Sequence, residues 1–139
     1  MILGYKKQFP WNKLTEFDRK IISGQKKHTI RVDQHDRWRA GRQINHCHGV
    51  RTKHFDNFYN NDCTGTQKIE IKWSNLYKDA PRAAVYIDDK CIGTYTNMYP
   101  SGLLKVLAYN DGFDSVQDFF KWFNKDFEGK IIHWTDLRY

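Results

Sequence analysis

The chain has 139 residues, the length of one domain, and can bury roughly two-thirds of its unfolded surface, so it needs no disulfide or metal staple to fold. Aromatic residues make up 16% of it, five of them tryptophan, beside 28% charged residues, which excludes a disordered chain. The net charge of +7 is unevenly placed: residues 1–54 hold 13 Lys/Arg against 4 Asp/Glu, whereas residues 55–139 hold 10 against 12.

A basic surface confined to one part of a fold suits an anionic partner, most simply nucleic acid; its plain alternative is a solvated basic face. No apolar run reaches the length of a membrane span, so no membrane partner is expected. Met1 to Trp11 has neither a long apolar core nor a small-residue cleavage site, so no secretory signal is expected. Cys47, Cys63 and Cys91 are odd in number and irregularly spaced, which fits a reduced, cytoplasmic protein better than a disulfide framework.

In chain order, Ile2 to Lys6 reads as a short strand, and Pro10 and Asn12 as a turn. Thr15-Glu16-Phe17-Asp18 resembles a capping box that opens a helix, with Leu14, Phe17, Ile21 and Ile22 as its apolar stripe and Gly24 as its stop. His28 to Val32 reads as a strand. Alternation sends Ile30 into the core and turns Thr29 and Arg31 to a cleft or to solvent. Ala40-Gly41 marks a turn before a strand near Arg42 to His48, and residues 51–65 are polar enough to suggest a long loop. From Thr66 to Trp73, Gln67, Ile69, Ile71 and Trp73 alternate with Lys68, Glu70 and Lys72, which is the clearest strand pattern in the chain. Ala83 to Tyr95 reads as a hairpin turning at Asp88-Asp89-Lys90, and Ser101 to Tyr109 as a short helix. Ser115 opens a last helix whose Val116, Phe119, Phe120 and Phe123 fall at i, i+3, i+4 and i+7, followed by a strand over Ile131 to Thr135. About six strands and three helices result, an α+β fold. With no long helical crossover among the middle strands, the sheet should be mostly antiparallel, best pictured as a small closed or nearly closed barrel with helices outside.

The run Gly24-Gln25-Lys26-Lys27-His28-Thr29-Ile30-Arg31 places three cations, an imidazole and a hydroxyl within eight residues. Such a cluster can grip a phosphate or a nucleobase, or it can activate the hydroxyl as a nucleophile. A threonine attacks only once a base has taken its proton, and a lysine is that base only when neutral. Neighbouring cations and burial both lower a lysine's pKa, so Lys27, His28 and Arg31 push Lys26 in the required direction. Trp38, between Arg37 and Arg39, is a candidate base-stacking residue, as is Tyr59; barrel-edge packing is the competing role for Trp38. His46, His48, His54 and Cys63 are metal-ligand types at a spacing that matches no standard zinc finger. Beside Arg51 and Lys53, stacking or phosphate contact is the better use for these histidines.

A helix followed by Gly24, Lys26, Thr29-Ile30-Arg31, then Trp38 and Gly41, resembles the ASCH domain of the PUA-like superfamily, as does Ala108-Tyr109-Asn110-Asp111-Gly112-Phe113 leading into a Ser-capped helix. The resemblance covers most of the chain apart from residues 51–65 and the segment near 75–82. It implies a small β-barrel with flanking helices and a cleft that binds RNA or nucleosides, with no cofactor. A bacterial branch hydrolyses N4-acetylcytidine with a lysine, a threonine and a glutamate; other ASCH proteins are reported to cleave RNA. Lys26 and Thr29 match the first two of these residues, and the glutamate position falls near Asp111, one methylene shorter. The resemblance thus implies that Lys26 deprotonates Thr29, that Thr29 attacks an amide carbonyl, that Asp111 orients Lys26 or shuttles a proton, and that Arg31 stabilises the oxyanion or holds a phosphate. From the residues alone, Asp111-Gly112 is also an ordinary helix-ending turn.

Overall fold

A computed structural model describes residues 1–75, 80–96 and 101–139. In chain order it contains β1 (Ile2–Tyr5), α1 (Phe17–Ile22), β2 (His28–Arg31), β3 (Gln43–His48), β4 (Asp56–Asp62), β5 (Gly65–Asn75), β6 (Pro81–Ile87), β7 (Lys90–Tyr95), α2 (Gly102–Asn110), α3 (Val116–Trp122) and β8 (Phe127–His133). The α+β, mostly antiparallel organisation expected from the sequence is present. Five strands form one wholly antiparallel sheet in the order β2-β8-β5-β6-β7, and three form a second in the order β1-β3-β4, where only the β1–β3 pair is parallel. Among the described residues these ladders remain two separate sheets, so the strands do not close into the single ring pictured from the sequence.

The core lies where the period-two and period-3.6 patterns meet. Ile69 and Ile71 of β5, Val85 and Ile87 of β6 and Ile131 of β8 are buried. So are Leu104 and Leu107 of α2 and Phe119 and Phe120 of α3. Phe120 stacks on Tyr95 with ring centroids 4.2 Å apart, which joins α3 to the edge strand β7. Trp73 donates its indole N–H to the Phe123 carbonyl at 2.9 Å, joining α3 to β5. Ser101 and Ser115 cap α2 and α3, each hydroxyl accepting from the backbone N–H three residues on, as serine at an N-cap should.

Several expectations need correction. Residues 51–65 are not one loop: after a turn at 49–55, Asp56–Asp62 forms β4, antiparallel to β3. It is an edge strand whose residues are mostly exposed, so it carries no apolar alternation to reveal it. Thr15 does not cap α1, because its hydroxyl donates to the Lys6 carbonyl at 2.7 Å and closes the 7–15 loop; the N-cap position is Glu16, at φ 53°. Phe17 and Ile21 are buried as expected, but Leu14 precedes the six-residue helix and Ile22 lies on its outer side, and both are exposed. In β2, Ile30 joins the core and Thr29 and Arg31 turn to a cleft as expected, although Thr29, like His28, is buried.

Candidate functional site

A cleft of about 740 Å³ forms where the end of β1, the start of α1, strand β2, the β3–β4 turn and the α2–α3 turn converge. Lys26, Thr29, Arg31 and Asp111, which the sequence brackets together from positions 85 residues apart, all line it. Tyr5 and Phe17 form an aromatic wall, Phe113 and Trp122 extend it, and Lys6 and Lys7 add charge at the rim.

Lys26 sits just before β2, at the end of the short link that Gly24 (φ 86°) opens after α1. Its side chain is 2% exposed. Its Nζ donates to the Asp111 backbone carbonyl and lies 3.3 Å from Asp111 Oδ1, above the Phe17 ring at 4.7 Å. Burial pushes its pKa down to about 8; the Asp111 carboxylate opposes this and the Arg31 guanidinium adds to it. Asp111 ends α2, its own N–H bonding back to Leu107 O at 3.0 Å, and Gly112 follows at φ 92°. The helix-ending turn and the site residue are therefore one feature. Although it is one methylene shorter than glutamate, Asp111 reaches Lys26 because α1 and this turn pack closely. A Cβ on Gly112 would stand 2.9 Å from Lys26 Cδ. A second buried lysine, Lys20 of α1, fixes the other side of the turn, donating to Gly112 O at 2.8 Å and to Asp114 Oδ1 at 3.0 Å.

His28, a candidate ligand contact from sequence, is fully buried and serves the site from behind. Its Nδ1 lies 3.2 Å from Asp111 Oδ1 and its Nε2 lies 2.6 Å from the Tyr139 hydroxyl. Burial lowers its pKa and holds the ring neutral, against the Asp111 contact. A carboxylate can only accept, so Nδ1 carries the proton and Nε2 accepts from Tyr139. Burial also raises the Tyr139 pKa and keeps its proton in place. Asn110 Nδ2 completes the chain by donating to the Tyr139 oxygen at 3.1 Å. His133 next to it, with its pKa pushed down to about 3 by burial, donates Nε2–H to Gln67 Oε1 at 3.0 Å. Gln67 in turn clasps the backbone of Tyr139, accepting from its N–H at 3.0 Å and donating to its carbonyl at 2.9 Å. On the opposite wall, His46 is lowered to about 4 by burial. It accepts from the Tyr5 hydroxyl at 2.9 Å and donates to Asn61 Oδ1 at 2.8 Å, which sets the Tyr5 ring as a cleft wall. The cleft thus has neutral, hydrogen-bonded histidines behind its walls, and the cations left lining it are lysines and Arg31.

Arg31 donates to the Gly4 carbonyl at 2.8 Å with its guanidinium 5.2 Å from the Tyr5 ring, and its Nε–H has no partner among the described residues. The Thr29 hydroxyl makes no hydrogen bond among the described residues, to Lys26 or to any other group.

The remaining candidates scatter. Trp38 is buried at 5% exposure and packs in the core, so it presents no face for a base to stack on. Lys27 is half-buried and does not line the cleft. Arg37 and Arg51 line a separate groove together with Arg42, while Arg39 and Lys53 are exposed and line neither. Tyr59 is exposed on β4, 5.9 Å from the His46 ring. Among the described residues no group of three metal-ligating side chains converges; His46 and His48 are buried against Phe58 instead. Sequence reasoning missed Tyr5, Phe17 and Tyr139. The Tyr5-Lys6-Lys7 triplet, an aromatic beside two bases, was an available signal for the first, but nothing local marks Tyr139, 111 residues from His28. No family model matches the chain, and no curated protein or solved structure matches it.

Proposed function

We propose that the chain is an ASCH domain with a PUA-like arrangement of strands, and that it binds RNA or a modified nucleoside in the cleft of Lys26, Thr29, Arg31 and Asp111. The observation that carries this reading is the composition of the cleft. Aromatic walls of Tyr5 and Phe17 line a cavity of ligand size, with the Thr29 hydroxyl and the Arg31 Nε–H, neither partnered among the described residues, inside and lysines at the rim. A nucleobase offers an apolar ring to such walls and polar edges to such donors, and its phosphate suits the rim.

One observation favours a second reading, hydrolysis of an N4-acylated cytidine. With a pKa of about 8, about a tenth of Lys26 is neutral at pH 7 and able to accept the Thr29 proton. Thr29 Oγ then bonds to the acyl carbon, Arg31 stabilises the oxyanion, and Lys26 returns the proton to the departing cytidine amine. Water finally releases the acyl group from Thr29. Asp111 is the positioning residue for Lys26. Because Asp111, not Thr29, holds the amine in the free protein, this route starts with a swing of Nζ, and binding remains the leading reading.

Titrating N4-acetylcytidine and cytidine into wild type, Lys26→Met and Thr29→Ala, and following released cytidine by mass spectrometry, tests both readings. Saturable binding that weakens at least tenfold in Lys26→Met supports the site, and turnover lost in both variants supports the hydrolase. Absence of nucleoside binding to the folded wild type overturns the cleft reading.

A further inference from the structure

The cleft has a neighbour. A groove of about 730 Å³ is lined by Arg37, Arg42, Arg51 and Phe55, and Gly4 and Val50 line both spaces. The β3–β4 turn is the shared wall: Thr52 and His54 face the cleft, Arg51 and Phe55 face the groove, and Val50 faces both. Some surface lysines elsewhere have carboxylate partners, as Lys13, Lys68, Lys72 and Lys130 do. Among the described residues the side chains of Arg37, Arg42 and Arg51 make no ion pair and no hydrogen bond. Three uncompensated guanidinium groups around one groove create a field that suits several negative charges in a row.

The turn adds an independent observation. Thr52 N–H bonds to the Gly49 carbonyl at 3.0 Å, which places Val50 and Arg51 at the two central positions. Arg51 has φ 63°, in the left-handed region where glycine is the favoured residue. The turn itself is firmly made, with the Thr52 hydroxyl donating to Gly49 O at 2.7 Å and accepting from His54 N–H at 3.1 Å. Gly49 is pinned as glycine, since a Cβ there would meet His54 O at 2.5 Å. Among the described residues the Arg51 side chain makes no hydrogen bond or ion pair that would offset its strained backbone, and strain kept without such a bond is a mark of function. Half-exposed Phe55 adds an aromatic face beside the cations, the combination that holds single-stranded nucleic acid through backbone charge and base stacking.

We propose that Arg37, Arg42 and Arg51 hold consecutive phosphates of a single-stranded nucleic acid while an adjoining nucleotide occupies the cleft, so that the ligand is a strand rather than a free nucleoside. This rests on the cleft reading for the nucleotide it places there. The groove stands on its own geometry.

The test pairs two probes with two variants. Hexameric oligocytidine, as RNA and as DNA, is titrated by fluorescence anisotropy from 50 to 300 mM salt, and N4-acetylcytidine is titrated by chemical-shift perturbation. The variants are Arg51→Gly and the triple Arg37→Gln/Arg42→Gln/Arg51→Gln. In the triple variant, oligomer affinity is expected to fall at least tenfold at 50 mM salt. Its salt slope should fall by about 2, since a single strand contributes about 0.7 per phosphate. Nucleoside affinity should not change. Arg51→Gly is expected to keep or raise the melting temperature while weakening the oligomer, a pairing that a merely structural arginine cannot give. A preference for RNA or for DNA identifies the strand, and either supports the groove. Equal oligomer affinity and salt slope in wild type and triple variant overturn the proposal, as does tighter binding to phosphatidylserine vesicles than to either oligomer. Loss of oligomer affinity in the triple variant without any nucleoside binding supports the groove and overturns the cleft reading; nucleoside binding with no gain for the oligomer does the reverse.

Discussion

Acidification from pH 7 to pH 5 is expected to remove roughly 3–4 kcal/mol of folding stability, because His46 and His133 are buried as neutral rings. Burial lowers His46 to about 4 and His133 to about 3, whereas an unfolded histidine titrates near 6.5. A group whose folded pKa is depressed contributes stability above its unfolded pKa and loses it as pH falls. The loss therefore begins near pH 6.5 and continues down to about 4 for His46 and about 3 for His133. At pH 5 each unfolded ring is protonated and each folded ring is not; about 1.5 pH units at 1.36 kcal/mol per unit gives about 2 kcal/mol per ring. His28, lowered by burial in the same direction, adds to the slope. Carboxylates act in a different window. Burial raises Asp33 and Asp114, backbone and lysine donors outweigh it and hold both low, and their stabilisation is lost only near and below the unfolded value of about 3.9. Urea unfolding followed by tryptophan fluorescence at pH 7, 6 and 5 measures the slope directly, and His46→Gln should reduce proton uptake on unfolding by one. Stability that stays constant from pH 7 to 5 would refute the assignment of these rings as neutral.

Two further outcomes probe the same architecture. Tyr139→Phe removes the donor to His28 Nε2 and the acceptor for Asn110 and leaves buried polar atoms unpaired, so a loss of about 1–3 kcal/mol is expected in urea unfolding; wild-type stability would show that water replaces the hydroxyl. Gly112→Ala forces a left-handed residue against Lys26 Cδ at 2.9 Å and Phe17 at 3.0 Å. It should cost more than about 1 kcal/mol and lower nucleoside affinity by displacing the amine, and an unchanged amine resonance in NMR would contradict it.

Elements that bury a whole face were legible in the sequence. The stripe Val116, Phe119, Phe120 and Phe123 and the alternation of Gln67, Ile69 and Ile71 each repeat at the period of the structure they form, and all seven are buried. The hairpin at Asp88-Asp89 was legible for a different reason, since both residues take positive φ, a conformation Asp tolerates well. Strand β4 was not, because a mostly exposed edge strand has no apolar face to reveal. The role of Thr15 was hidden because a hydroxyl able to cap a helix is equally able to close the preceding loop. For the site, proximity in sequence found Lys26, Thr29 and Arg31, and the resemblance added Asp111. What the sequence could not convey is which polar groups face the cleft and which stand behind it. His28 and Trp38 sit in basic, aromatic stretches, yet both are buried, His28 by contacts with Asp111 and Tyr139 far along the chain.

Both buried lysines bond across long stretches of chain: Lys20 reaches a carbonyl 92 residues away and Lys26 one 85 residues away. Joining positions so distant carries a loop-closure cost that nearby contacts avoid, and the β2–β8 pairing spans still more chain, with His28 opposite His133. The lysine clamp and this strand pair together tie the basic segment to the last third of the chain. A truncation that spares the basic segment but removes α2 would leave Lys26 as an ordinary solvated, fully protonated lysine.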